Sequence, residues 1–480
     1  MAALRSKITG TSLLFVFSAV IISSFPQAYA ENKSGGWSEP VRIDSKGAGQ
    51  AASAASDANG NAVVAWSQAE PGLEKYSIWA NRYDATKGWG KPQRIAQLVG
   101  QRCFPQIAMN NTGSAVVTWC QYSPATFDPA NRTYEETTSV WISRLTADAK
   151  EWSRPQQVVD DSGDPAYPSI AIDGHGHAVV VYVQDIPLGE YTVHAKLIQA
   201  NGHVGADELM QRNGNNYGGT FAAAMNEHGQ AMVIWNDVDP NTYESMYVSK
   251  IYQPKQGWAN PVAINGTQGY TSYSGFGLDN IGNAMLALQI ANASYNFNAY
   301  AFHYSHAGWG TPVLLQSNMD FDAGYLVMKM NARGEAMAIW SEYNPTTNFH
   351  MHANRYVPGQ GWKGDRYIAN RNNAPSFARL ALNDSGNAVA LWSEPMPEFL
   401  APGASSPPSN VFAFRFDKYA GWDHGANLQY GPISMATLDV ALSRGGEAIA
   451  FWGTGSFNLV SLFASHWPNT NIPSAMSGSN

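Results

Sequence analysis

Six side-chain acceptors recur at one position of this chain. Gln68, Gln121, Gln184, Asp237, Glu342 and Glu394 each stand two residues after the aromatic that closes an apolar run. Gathered around one opening, they could hold the hydroxyls of a ligand. They could equally fasten their own loops by accepting backbone N–H groups. Tyr122, Tyr134, Tyr243, Tyr273 and Tyr343 lie among Asn, Thr, Gly and Pro. An aromatic face beside amides and hydroxyls suits a sugar, which offers C–H patches and hydroxyls together. The same mixture suits a protein ligand, and such rings also pin their own loops.

Signs of catalysis are sparse. Nucleophilic chemistry needs a nucleophile beside a base and an orienting group, and no Gly-x-Ser-x-Gly turn stands out. Glycoside hydrolysis needs two carboxylates a few ångströms apart. Asp128, Glu135, Glu136, Asp185, Glu190, Asp237, Asp239, Glu244, Asp320, Asp322 and Glu398 supply carboxylates, and the sequence pairs none of them. For metals, the turn at residues 160–164, with Asp160, Asp161 and Asp164, is oxygen-rich enough for calcium but lacks the full spacing of a calcium loop. His175 and His177 flank Gly176, and His350 and His352 alternate along one strand, each pair without a third ligand. No cofactor is expected, with calcium as the alternative.

The elements that must position these groups come from a repeat. Residues 55–66 read Ala-Ser-Asp-Ala-Asn-Gly-Asn-Ala-Val-Val-Ala-Trp, and versions return at residues 108–119, 171–182, 224–235, 277–288, 329–340, 381–392 and 441–452. Asp57 opens a turn with a side-chain acceptor, and Gly60 supplies positive φ. The flanking runs predict a β-hairpin. The wholly apolar run 62–66 predicts a strand buried on both faces. The turn glycines Gly60, Gly113, Gly176, Gly229, Gly282, Gly334, Gly386 and Gly446 are 53, 63, 53, 53, 52, 52 and 60 residues apart. Each period holds two more strand-like pieces, first 77–83 and then the Gly-Trp stretch 88–95. Four strands per period predict an all-β fold, a single eight-bladed β-propeller of four-stranded blades over residues 37–467. A Gly-Trp strand precedes the first hairpin, at 36–43, and the last period ends near Trp467 without one. Residues 37–44 should therefore pair with 459–467 and close the ring, removing open edges.

Strand alternation then puts the hairpin turns and the strand 3–4 turns on one face. The strand 2–3 loops and the blade connections fall on the other. Both long gaps come from strand 2–3 insertions, at 121–139 and 393–410. That loop face is the candidate binding face. Arg82, Arg144, Lys196, Lys250, Arg355 and Arg415 recur on the third strand, a pattern expected of architecture.

Residues 1–30 read as an export signal, with Arg5 and Lys7, an apolar run 13–22 and Ala28-Tyr29-Ala30. Residues 31–36 read as a linker and 468–480 as a flexible tail. No other apolar run is long enough to span a bilayer, so the processed chain is expected without a transmembrane anchor, secreted or periplasmic. A net charge of −8 gives no basic footprint, which argues against nucleic acid as a partner.

The eight hairpins and the Gly-Trp strands resemble the repeats of exported bacterial β-propellers, the group that includes sialidase-like proteins and propeller lectins. The resemblance implies glycan binding on the loop face or between blades. The combined expectation is a non-catalytic binding propeller that recognises a glycan or a surface protein. The alternative is an extracellular hydrolase or lyase acting on polysaccharide with carboxylates of the same face.

Cys103 and Cys120 lie on the two arms of the second hairpin, opposite within one residue about the turn at 110–113. In an oxidising compartment this favours a cross-strand disulfide; a buried free pair and a metal site are the rivals. Mass analysis should show no thiol labelling of the intact chain and two labels after reduction. Labelling without reductant removes the bridge.

Overall fold

The turn chemistry sets the hairpins. Asp57 Oδ1 accepts the amides of Asn59 at 2.8 Å and Asn61 at 2.9 Å, and Gly60 takes a φ of 85°. The chain thereby reverses from Gly49–Ser56 into Ala62–Ala69. The same pair of amide bonds forms on Asn110, Asp173, Asn226, Asp279, Asn331 and Asn383. Ser443 takes the eighth position and accepts the amide of Glu447 at 3.0 Å.

The computed structural model describes residues 36–467 apart from 45–48, 70–75, 98–103, 124–125, 129–132, 136, 162–164, 187–189, 214–219, 239–244, 345, 347, 372, 397–407, 432 and 456–459. Residues 1–35, on which the export-signal reading falls, residues 468–480, Cys103, Tyr243 and most of the oxygen-rich turn at 160–164 lie outside the described residues. Cys120 is half-buried on the second strand of blade 2.

Eight antiparallel sheets form eight blades. Their first strands are Gly49–Ser56, Gln106–Met109, Ala166–Ile172, Phe221–Met225, Thr271–Leu278, Ala323–Met330, Ser376–Leu382 and Ile433–Leu442. Each touches the next, and the last touches the first, so these strands line the centre of a closed wheel. The second strands are buried on both faces, as their unbroken apolar runs require; Ala62 to Trp66 are fully buried. Gaps between blades are filled by their side chains, with Trp119 packed against Val63, Ala65 and Ile78 of blade 1.

In blades 1, 4, 5, 6 and 7 the fourth strand opens with Gly-Trp and is split into two pieces, both pairing with the third strand. In blades 1, 4 and 5 a proline, Pro92, Pro261 or Pro312, stands in the break with no N–H to give. The tryptophan of each split strand packs on a third-strand aromatic, as Tyr83 meets Trp89 with ring centroids 5.4 Å apart.

Five of the six recurrent basic residues take their main partner from a neighbouring blade. Arg82 donates to Ala149 O at 3.3 Å and Arg144 to Gln199 O at 2.7 Å, each in the following blade. Lys196 reaches back to Val158 O at 3.0 Å, and Lys250 reaches back to Glu208. Arg355 pairs with Glu335 of its own blade at 2.6 Å, and Arg415 lies 3.7 Å over the Trp467 ring.

The N-terminal strand closes the wheel. Val41 pairs with Ala464 and Arg42 with Phe463, Ser38 N donates to His466 O at 2.8 Å and Ile43 N to Leu462 O at 2.9 Å. Trp37, 8% exposed, packs edge-on to Trp467 with centroids 6.1 Å apart. Trp37→Ala should lower unfolding free energy by about 3–5 kcal/mol, the range for emptying a buried tryptophan site, read from urea melts. A loss below about 1 kcal/mol would show that the closing strand carries little of the stability.

Candidate functional site

The recurrent acceptors reach inward more than outward. Gln68, 3% exposed, accepts the indole N–H of Trp66 at 3.1 Å. Glu394, 4% exposed, accepts that of Trp392 at 2.7 Å. Glu394 also takes two bonds from Arg371, through Nε and through Nη2 at 2.9 Å. Two residues along a strand lie on one face, which lets Gln68 and Glu394 meet the rings they follow. Glu342 is buried in the same register, while Gln121, Gln184 and Asp237 are half-buried. Burial raises the Glu342 carboxyl above its ordinary range, and the nearby His352 pulls the other way.

The wheel has two mouths. On the turn face a cavity of about 280 Å³ is lined by residues of all eight blades. Its polar groups are largely committed to each other. Asn110, Asn226, Asn331 and Asn383 donate their amides to the next blade's turn carbonyl at 2.8–3.0 Å. One step out, Asn111 reaches Glu227 across blade 3. Gly174 makes room there, because a Cβ would come within 3.1 Å of the Glu227 carbonyl. Glu227 exchanges two bonds with Asn280 at 3.2 Å, and Asp384 accepts Ala332 N at 3.0 Å.

The loop face carries exposed aromatics instead. Tyr270 and Tyr295 of blade 5 are 72% and 74% exposed, with centroids 6.3 Å apart. Tyr343, 50% exposed, packs on Phe349 at 4.8 Å. Tyr325, 51% exposed, meets Phe377 of the next blade at 6.3 Å. The frame beneath them is fixed. Phe297 N donates to Asp322 at 2.6 Å, and Gln316 accepts Ala299 N at 2.7 Å while donating to Asn318 O and Phe321 O at 2.7 and 2.9 Å.

Several of these rings sit on backbone that side chains avoid. Tyr167, Tyr295, Tyr325 and Phe377 have φ of 52°, 63°, 48° and 53°. Tyr167, Tyr325 and Phe377 occupy bulges near the start of their first strands. A bulky residue in the left-handed region costs on the order of 1–3 kcal/mol, and such residues concentrate where a ligand is held.

Of the expected site residues, Tyr343 joins this face as an exposed ring. Tyr122 and Tyr273 are half-buried, and burial pushes the Tyr273 hydroxyl up. The backbone of Tyr134 pairs with Phe127 in a small ribbon built from the blade 2 insertion. Among the carboxylates, Asp322 and Glu394 are committed as above, and Glu136, Asp239, Glu244 and Glu398 lie outside the described residues. Sequence reasoning missed Tyr167, Tyr325 and Phe377. Its available signal was spacing: Phe104, Tyr167, Tyr273, Tyr325 and Phe377 all stand nine residues before a turn glycine.

No family model matches the chain, and no curated protein matches its sequence. Solved structures of similar shape include the BP39L lectin from Burkholderia pseudomallei, at 12% identity over 80% of this chain and 100% of that one, with a TM-score of 0.47. An ulvan lyase of polysaccharide lyase family 25 is 10% identical over 82% of this chain and 96% of its own, with a TM-score of 0.46. The NanB sialidase from Streptococcus pneumoniae is 10% identical over 90% of this chain and 70% of its own, with a TM-score of 0.34. These are likenesses of shape, and the count of eight blades rests on the sheets themselves.

Glu394→Ala should cost about 3–5 kcal/mol, because it leaves a half-buried guanidinium and a buried indole N–H without their acceptor. Glu394→Gln should cost less. A ligand-holding Glu394 with no structural part would show unchanged urea midpoints in both variants.

Proposed function

We propose that this chain is an exported binding propeller that holds a glycan on its loop face, over the aromatic rings of blades 5, 6 and 7. The observation that carries the reading is the set of three exposed ring pairs there, two of them including residues in left-handed backbone. Flat rings standing on a hydrogen-bonded frame accept the C–H faces of sugar rings. The surrounding Asn, Ser and Thr side chains answer the hydroxyls. The turn-face mouth is the weaker candidate, since its amides and carboxylates are used between blades. Export through the N-terminal segment and a Cys103–Cys120 bridge belong to the same proposal. Among the described residues there is no helix long and apolar enough to cross a membrane.

The test is a glycan array probed with the processed chain, followed by titration of the best hit. Tyr270→Ala combined with Tyr295→Ala should weaken binding about tenfold or more, the loss of roughly one stacking contact. Tyr325→Asn should weaken it too while leaving thermal stability unchanged or raised, since Asn tolerates the left-handed region better than Tyr. Tyr419, 88% exposed on the opposite face, is the control, and Tyr419→Ala should bind like the parent. A blank array, or equal loss in the control, sinks the glycan reading. Release of shorter sugars from the hit would replace it with the catalytic one.

A further inference from the structure

Blades 3 and 6 share an unusual local arrangement, and the two copies differ in one telling respect. In blade 3, His194 lies against Tyr182 of the second strand, with centroids 5.5 Å apart. Its Nδ1 pairs with Asp207 at 2.6 Å and its Nε2 with Thr192 at 2.8 Å, so both ring nitrogens are occupied. In blade 6, His352 lies against Trp340 in the same register, with centroids 5.7 Å apart. Its Nδ1 pairs with Asp365 at 2.7 Å. Asp365 occupies the place of Asp207, each two residues before the fourth-strand residue that faces its histidine. Asp365 is itself anchored by the amide and hydroxyl of Ser317, at 2.9 and 2.8 Å. Burial works against its charge, and the bonds from His352 and Ser317 outweigh burial and hold the carboxyl below its usual range.

The remaining positions have changed identity. His350 replaces Thr192, and Glu342 replaces Gln184, both on the face that carries His352. The His350 and His352 rings lie 6.0 Å apart, centroid to centroid. Both changes exchange a neutral hydrogen-bonding group for a metal-ligating one. They leave two buried atoms without a hydrogen-bond partner, His352 Nε2 and Glu342 Oε2. Glu342 is 6% exposed. Ligating atoms of Glu342, His352 and Asp365 all lie within 4.8 Å of one another.

We propose that blade 6 carries a divalent transition-metal site in the gap facing blade 5, with His352 Nε2, the Glu342 carboxylate and His350 as ligands. Asp365 is the orienting group. It fixes the Nδ1–H tautomer and so turns the Nε2 lone pair towards the ion, the usual relation of a carboxylate to a ligating histidine. Two imidazoles and one carboxylate suit zinc, which takes three such ligands and leaves a fourth position open. The site is independent of the glycan reading, and its test does not use a sugar.

Processed chain freed of metal by chelator should take up one equivalent of Zn²⁺ in calorimetry. It should also give a visible absorption band with Co²⁺. Glu342→Gln and His352→Asn should each abolish both signals. Asp365→Asn should weaken binding about 10–100-fold, the usual effect of losing an orienting partner. The decisive variant joins His350→Thr with Glu342→Gln, which rebuilds the blade 3 arrangement in blade 6. It should melt like the parent and bind no metal. His175→Ala, on the turn face, should retain one equivalent. A parent that takes up no zinc, or uptake that survives in the double variant, overturns the site and leaves Glu342 as a buried structural carboxyl group.

Discussion

The structure depends on a single side-chain oxygen at the head of each turn. In seven blades it accepts two backbone amides two and four residues ahead, and that pair of bonds makes the hairpin. What the other half of the side chain then does decides how blades are joined. Where the residue is Asn, its amide reaches the next blade's carbonyl. Where it is Asp, the second oxygen needs a donor, and the residue four ahead supplies one: Asn61, His177 or Asn283. In blades 4 and 6 the residue four ahead is instead an acceptor, Gln230 or Glu335, which meets the asparagine amide. In these five blades the partner at the fourth position matches the chemistry of the first.

Much of the wheel was legible in the chain, because its repeat is written in local signals. Turn residues, an apolar run too uniform for a half-exposed strand, and a Gly-Trp strand displaced to the front all act over short distances. They gave the blade number and the closure of residues 37–44 on 459–467, which the structure forms with Val41 opposite Ala464. The split fourth strand was less legible, since it depends on where Pro92 or Pro261 interrupts the pairing. The links between Asn110 and Asp173, or between Arg144 and Gln199, were not legible at all. They join residues about a whole period apart, and neither partner's type announces the other.

The site was read less completely for a related reason. The acceptors after each aromatic were found by position, but their direction depends on the ring two residues earlier, so Gln68 and Glu394 face an indole rather than an opening. The bulged rings Tyr325 and Phe377 were overlooked because a left-handed tyrosine has no signature in composition. The nine-residue spacing before a turn glycine marks the position, and the register shift between Gly324 and Val327 shows what the backbone does there. The histidines of blade 6 were seen as a pair lacking a third ligand. Their companions, Glu342 and Asp365, come from a different strand and from the break in the fourth strand, which periodicity alone does not bring together.

One blade is assembled from both ends of the described chain, and this bears on the order in which the wheel can form. Until the segment around Phe463 has been synthesised, the strand around Val41 has no partner and the circle stays open. A nascent polypeptide therefore lacks its final seam for nearly the whole of its synthesis. The ring locks only when head and tail meet.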